Sequence, residues 1–307
     1  MGEGVKPRKA LQWVFVIAVF VFLGRILWEN WTQVREAPFT FRIFPLVLST
    51  LVFAFSYLIQ FWAWYLITLR VGIAISFRET LGSWFYSQMG KYLPGKIWLL
   101  LSRFYIYGSK GKSKEAVTLA LYFETVTIIV AAGLLFLASL PFLRGGRFTD
   151  LRGVFPWMLL ALAFAFLFLH PRVLQKVLNR ILNSFHRTPL FLTVSYSDIL
   201  LVLGICVLSW VVGGIGFYLF VDSLFPISSK HFLFLTGALA ISSTLGLVAL
   251  FAPSGLGVRE GVLVYLLSSM MPSSVAVILS VLTRLWMTFI EMGMIGMVYL
   301  VDQLRRK

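Results

Sequence analysis

The chain has 307 residues, of which 59% are hydrophobic and 13% charged. Soluble domains carry about 25% charged and about 45–50% apolar residues. This balance excludes a soluble enzyme, a nucleic-acid-binding domain and a disordered chain, because only a bilayer can cover so much apolar surface. The formal net charge of +15 sits mostly in short loops between apolar runs, the pattern that orients membrane helices. Cys206 is the single cysteine and lies in an apolar run, so no intrachain disulfide can form. The three histidines, His170, His186 and His231, make no metal-ligand spacing. No metal and no cofactor are expected.

Lys6, Arg8 and Lys9 precede an apolar run over residues 10–28, long enough to span. No small-x-small cleavage site follows it, so it reads as an uncleaved first span rather than a signal peptide. A second span covers about 43–69, with Trp62, Trp64 and Tyr65 near its far interface. The stretch 77–107 differs. A helical piece over 78–89, about 18 Å long at 1.5 Å per residue, runs into Gly90-Lys91-Tyr92-Leu93-Pro94-Gly95-Lys96. A second short piece over 97–107 ends at the basic loop of Lys110, Lys112 and Lys114. Neither piece crosses a core of about 30 Å, and both flanks are basic, so the sequence predicts a hairpin that enters the membrane, breaks and returns.

A span over 116–140 follows, with Glu124 inside it, and another covers 154–170. Residues 171–187 alternate at helical period, with Leu174, Val177, Leu178, Ile181, Leu182 and Phe185 on one face and Arg172, Lys176, Arg180 and Arg187 on the other. This is an amphipathic helix suited to an anionic leaflet, or equally a helical linker between two halves. A span over 199–220 opens the second half. An apolar run over 232–251 leads to Ala252-Pro253-Ser254-Gly255-Leu256-Gly257-Val258-Arg259-Glu260-Gly261, then a short apolar piece, then a last span over 275–301 carrying Arg284 and Glu291. Residues 232–251 fit either half of a second hairpin or a complete span.

If the N-terminus is inside and both Pro/Gly breaks are membrane-embedded turns, one side collects Lys6, Arg8, Lys9, Arg70, Arg78, the lysine loop, the amphipathic helix and Arg305-Arg306-Lys307. The other side holds only Arg35, Arg42, Arg144, Arg147, Arg152 and Lys230. That imbalance places both termini in the cytoplasm. The expected fold is an all-α polytopic membrane protein, a single domain over 1–307, with about six full spans plus two re-entrant broken-helix hairpins, or alternatively about eight spans. The two halves, about 43–140 and 198–301, share one grammar and open to opposite sides. This is an inverted repeat, a common transporter plan, joined through the 154–170 span and the 171–187 helix.

An ionisable residue at bilayer depth costs at least about 2.5–3.5 kcal/mol on insertion scales. This chain places Lys91, Lys96, Arg103, Glu124, Arg259, Glu260, Arg284 and Glu291 in or beside apolar segments. Lys91, Lys96 and Arg259 stand at the breaks, where irregular backbone requires protein or a watery cavity around it. Helices restarting there would aim N–H groups into that cavity, and helix N-termini with fixed cations suit a phosphate. Lys91, Lys96, Arg103, Arg259 and Arg284 are therefore candidate phosphate ligands. Glu124, Glu260 and Glu291 are candidate ion-pair or proton-coupling groups. A plainer role pairs Arg103 and Arg284 with Glu124 and Glu291 to hold the bundle, lets Lys91 snorkel to the interface, and makes Glu260 the neutralising partner of Arg259. Gly90, Pro94, Gly95, Pro253, Gly255, Gly257 and Gly261 serve the geometry of the breaks.

The strings GKYLPGKIWLLLSRF from Gly90 and APSGLGVREG from Ala252 resemble the lysylphosphatidylglycerol synthase transmembrane-region family, over nearly the whole chain. The family includes the flippase part of the bacterial multiple peptide resistance factor. The resemblance implies a lipid-flippase-like fold and points to Lys91, Pro94, Gly95, Lys96 and Arg103 in the first motif. In the second it points to Pro253, Gly255, Gly257, Arg259, Glu260 and Gly261, with Glu124 a looser match. The chain ends shortly after its last span, so the lysine-transferring domain of the name is expected to be missing. The substrate therefore does not follow from the family name, and stand-alone members have suspected links to polyprenyl-phosphate sugar pathways.

The leading expectation is a flippase-like transporter of the prokaryotic plasma membrane, moving an anionic phospholipid or polyprenyl-phosphate-linked lipid between leaflets. The alternatives are a membrane-embedded lipid-phosphate transferase and a non-catalytic partner of a lipid-modifying enzyme. The absence of a phosphate-binding P-loop sequence speaks against ATP hydrolysis by this chain.

Overall fold

The computed structural model describes residues 25, 28, 31–32, 39–92, 97–142, 153, 155–184, 194–249, 255 and 257–304. Among them it has ten α-helices and no strand. They are α1 (Ile43–Val71), α2 (Phe77–Gln88), α3 (Ile97–Gly108), α4 (Lys114–Ser139), α5 (Phe155–Leu169), α6 (Pro171–Ser184), α7 (Tyr196–Leu224), α8 (Phe232–Val248), α9 (Val258–Leu267) and α10 (Ser273–Leu304). The helices α1, α4, α7 and α10 and the segment Ser229–Val248, which is α8 with its preceding turn, are long and apolar enough to cross a membrane. The protein is an all-α polytopic membrane protein. The first predicted span, over 10–28, lies almost wholly outside the described residues.

Local sequence sets the helix ends. Ser76 and Glu79 form a reciprocal cap at the start of α2, and Ser195 and Asp198 do the same for α7. The Ser113 hydroxyl accepts from the Ala116 N–H to start α4. Gly72, at φ +80°, ends α1 in the left-handed conformation that a residue without Cβ adopts freely. Phe44, Leu51, Phe55, Leu58 and Trp62 form an exposed stripe along α1, and Ser49, Phe53, Ser56 and Trp64 on the opposite side are buried. One face of the helix is built for lipid and the other for helix packing.

The helices α1 and α7 run antiparallel along their whole length. Arg42 pairs with Asp222 at one end and Arg70 with Asp198, at 3.1 Å, at the other. Between these ties small residues bring the backbones close. The Ser209 hydroxyl donates to the Ser56 carbonyl at 2.9 Å, and a Cβ on Gly216 would stand 3.1 Å from the Ser49 carbonyl oxygen. Where lipid is as apolar as leucine, such close packing rather than burial from water drives association. The helix α8 packs equally tightly, with Gly214 of α7 against Thr236 and Gly237 against Ser139 of α4. Trp286 of α10 stacks on Phe220 at 4.5 Å and donates to Thr50 at 3.1 Å, fixing α10 against α7 and α1.

The short helices are arranged as two hairpins. At the feet of α2 and α3, Glu79 pairs with Lys110, so the pair begins and ends at one end of the bundle. Arg78 reaches Asp302 at 2.8 Å, which puts the end of α10 there too, beside the Arg70–Asp198 tie. By chain direction, α7 ends and α10 begins at the opposite end, so α8 and α9 start and finish on that side. The helices α2 and α3 have 12 residues each and α9 has 10, about 18 and 15 Å at the helical rise. The helix α8 is longer, and Ser229–Val248 reaches crossing length.

Two segments are described over most of their expected ranges. The span predicted over 154–170 is a helix of 15 residues, about 22 Å and short of a full crossing at its described length. It stops at Leu169, just before Pro171, which opens α6. The amphipathic helix is present over Pro171–Ser184, with Arg172, Lys176 and Arg180 exposed and Leu174 buried. The rest of its predicted range, 185–187, lies outside the described residues.

Glu79 is held below the usual carboxylate range by its bonds to the Lys110 ammonium and the Ser76 hydroxyl. Because its folded value is depressed, its contribution to stability is full above the ordinary value of 4.5 and disappears as pH falls through the lowered one. Glu79→Gln should therefore lower the thermal midpoint in detergent at pH 7 by a small, measurable amount. The difference between variant and wild type should shrink as pH is lowered below 4.5.

Candidate functional site

Two groups of buried charge lie beside the first hairpin. In the first, Arg103 of α3 is 1% exposed. Its Nε donates to the Ser87 hydroxyl at 2.9 Å, and both terminal nitrogens donate to the Glu124 carboxylate of α4. The Trp84 indole donates to the same carboxylate at 2.9 Å. The guanidinium lies 4.0 Å from the Trp64 ring centroid, and the Trp64 indole donates to the Tyr107 hydroxyl at 3.1 Å. Helical spacing makes the arrangement possible. Trp84 and Ser87 share one face of α2, and Arg103 and Tyr107 share one face of α3. The result is a four-helix clamp in which the donors of Arg103 are committed to protein partners.

The second group lies at mid-height. It gathers near Tyr57, halfway along the 29-residue α1, and Glu291, near the middle of the 32-residue α10. Lys91, in the tight turn Met89–Tyr92 that ends the first arm, pairs with Glu291 at 2.5 Å. The neighbouring Tyr92 hydroxyl donates to the other Glu291 oxygen at 2.7 Å. From the second hairpin, Glu260 accepts the Gly257 N–H at 2.7 Å, capping α9, and its other oxygen lies 3.7 Å from Arg284 Nε. The Arg259 guanidinium donates to the Met287 sulfur. Tyr57 and Lys91 each interact electrostatically with Glu291, Arg259 and Arg284. Among the described residues this group has three cations, Lys91, Arg259 and Arg284, against two carboxylates, Glu260 and Glu291.

The pairing differs from the expectation for Arg284. Arg103 does pair with Glu124, but Glu291 takes Lys91, and Arg284 lies beside Glu260. Arg284 and Glu291 are seven residues apart on one helix, about 10.5 Å along its axis, so each meets another element. Lys91 is turned inward to Glu291 rather than reaching for the interface. Glu260 is engaged with the α9 backbone and placed beside Arg284, not devoted to Arg259.

The breaks depend on glycine at particular points. A Cβ on Gly90 would stand 2.4 Å from the Leu99 nitrogen, so the two arms of the first hairpin meet backbone to backbone there. Gly255, at φ +73°, does the same against Gly246, where a Cβ would lie 2.6 Å from the opposing Cα. Gly257, at φ +82°, has open space around it and needs only the backbone conformation. Gly261 differs: it lies within α9, a Cβ there would meet nothing, and nothing in its surroundings requires glycine. Pro94, Gly95, Lys96 and Pro253 lie outside the described residues.

A family model for the lysylphosphatidylglycerol synthase TM region matches residues 12–292. The chain belongs to this family. No curated protein and no solved structure matches it. Membership connects the protein with membrane lipids, in keeping with its apolar helices. In this member of the lysylphosphatidylglycerol synthase TM-region family, Lys91 from the first motif string and Arg259 from the second lie near enough at mid-height for their charges to repel. Arg103, from the same string as Lys91, belongs to the separate clamp.

Sequence reasoning missed Tyr57, Tyr92, Met287 and the Trp84–Ser87 face. Tyr92 carried a signal, standing next to Lys91 within the first motif. Tyr57, Trp84 and Met287 carried none, because aromatic and methionine residues are expected throughout a membrane chain.

Proposed function

We propose that the protein is a flippase-like lipid transporter whose mid-height cation group holds the phosphate of an anionic phospholipid or polyprenyl-phosphate-linked lipid. The observation that carries this reading is the convergence of Lys91, Arg259 and Arg284, drawn from both halves of the chain, at the middle of the long helices. Cations at that depth are expensive, and here they outnumber the carboxylates of the group. Arginine binds phosphate through paired N–H donors, and lysine adds a point charge.

The antiparallel course of α1 and α7, and the hairpins opening at opposite ends, support reading the halves as an inverted repeat with two re-entrant arms. Such a repeat alternates access by rocking around a fixed site. The basic residues at the α2–α3 feet support a cytoplasmic location for that end, and hence for both termini, in a prokaryotic plasma membrane. The headgroup would occupy the site while the acyl or prenyl tails remain in lipid. Arg103 and Glu124 act in this reading as the clamp that holds the first arm.

The test is a leaflet assay in liposomes, following a fluorescent phosphatidylglycerol by its exposure to an impermeant quencher. Wild-type protein should speed movement over empty liposomes. Arg259→Ala should slow it by at least about tenfold, since one charge-assisted hydrogen bond contributes about 1.5–3 kcal/mol. Equal rates in wild type, variant and empty liposomes would reject the proposal. Mass spectrometry of the recovered lipid separates movement from chemistry: a covalently changed lipid would favour a transferase.

A further inference from the structure

The three buried carboxylates are held very differently. Glu124 accepts from both terminal nitrogens of Arg103 and from Trp84. Its cation is 1% exposed and held on several sides, so that pair has nowhere to go. Glu260 is tied to the α9 backbone through the Gly257 N–H and stands beside Arg284, which is 4% exposed. Glu291 is 3% exposed by side chain, but its cation Lys91 is 27% exposed and sits in the turn of a hairpin rather than in a long helix. Lys91 is thus the most exposed member of these pairs, and it stands on a flexible stem.

Lys91 is also among the cations offered to the phosphate. It cannot give its full charge to Glu291 and to an incoming anion together. Once Lys91 turns to the anion, Glu291 is left in a dry interior facing Tyr92 and Tyr57, with Arg259 and Arg284 drawn to the same phosphate and Glu260 adding a second negative charge nearby. An ionised carboxylate without a committed cation is too costly there, and the group neutralises by protonation.

From this geometry we infer that Glu291 is the proton carrier of the site: an anionic headgroup takes Lys91 from Glu291, and Glu291 takes one proton from bulk water in exchange. The inference rests on the phosphate-site reading and adds its coupling. The exchange balances, because one negative charge and one proton enter together. When the headgroup leaves, Lys91 returns and the proton is released to the side then open. A carrier built this way moves its anion with a proton, and the pH difference across the membrane biases its direction. Tyr92 stays a donor to Glu291 in one state and becomes an acceptor for its proton in the other.

The experiment is calorimetric titration of the purified full-length protein in detergent with dihexanoyl-phosphatidylglycerol, in buffers of differing ionisation enthalpy. The phosphodiester does not titrate near neutral pH, so any proton exchanged belongs to the protein. The expected result is about one proton taken up per lipid bound, with affinity falling by up to about tenfold per pH unit as pH rises. Glu291→Gln should bind with no proton uptake and a flat pH profile. Lys91→Gln, which leaves Glu291 without its cation before any ligand arrives, should also lose the uptake, and it serves if the first variant does not fold. Wild-type binding without proton exchange, or uptake unchanged in Glu291→Gln, overturns the coupling and leaves the phosphate site standing. Titration with glycerophosphoglycerol, the same diester without tails, separates a headgroup site from one that needs the lipid. Absence of binding by both compounds overturns the site reading and this inference with it.

Discussion

Arg103→Met is expected to lower the stability of the detergent-solubilised protein by about 3–5 kcal/mol, the usual cost of removing one partner from a buried ion pair. The substitution leaves Glu124 with the Trp84 indole alone, removes the donor to Ser87 and takes the cation from the Trp64 face. The double variant Arg103→Met with Glu124→Met should recover most of the loss, because replacing both members of such a pair by packed apolar groups is often close to neutral. Thermal unfolding followed by size-exclusion chromatography distinguishes the cases. If the double variant is as unstable as the single one, the charges do more than satisfy each other. Lipid movement by the double variant should persist, because Lys91, Arg259 and Arg284 are all retained.

Gly255→Ala is expected to cost about 2–5 kcal/mol. Two independent terms add. A residue with a Cβ pays about 1–2 kcal/mol to hold the left-handed conformation. The new methyl would also stand 2.6–2.8 Å from the Gly246 Cα, oxygen and carbonyl carbon. Those are backbone atoms that cannot rotate aside, so overpacking adds about 1–3 kcal/mol. The neighbouring glycines supply the control. Gly257→Ala meets open space and should show only the conformational cost. Gly261→Ala, in a helix with nothing nearby, should be neutral or stabilising by up to about 1 kcal/mol. The order of thermal midpoints across the three variants is the measurement, and equal losses at 255 and 257 would refute the close-approach argument.

The broken helices were legible because length and punctuation agree. Residues 78–89 and 97–107 are too short to cross, and the Gly/Pro/Lys string between them cannot continue a helix. Both short helices stand within a residue of those bounds. The residue types of the buried charges were legible as well, since any Glu or Arg inside an apolar run is conspicuous. Of their partners only the Arg103–Glu124 pair was legible; those of Lys91, Arg284 and Glu291 were not. Pairing is a tertiary fact, and Glu291 had no local reason to choose Lys91 over Arg284. Tyr57 and Trp84 were hidden for a different reason. With aromatics at 16% of the chain, and many of them facing lipid, one that lines a site looks like any other. The helix over 155–169 stands within the range 154–170 that its apolar run marks.

The α1–α7 pair is fastened by an ion pair at each end and meshed by small side chains between. A post held at top and bottom cannot slip by a helical turn, since that would break both fastenings at once. Because α1 and α7 belong to opposite halves of the chain, any rocking of one half against the other would turn about this seam rather than part it, and the short helices beside Lys91 and Arg259 would travel with their own halves.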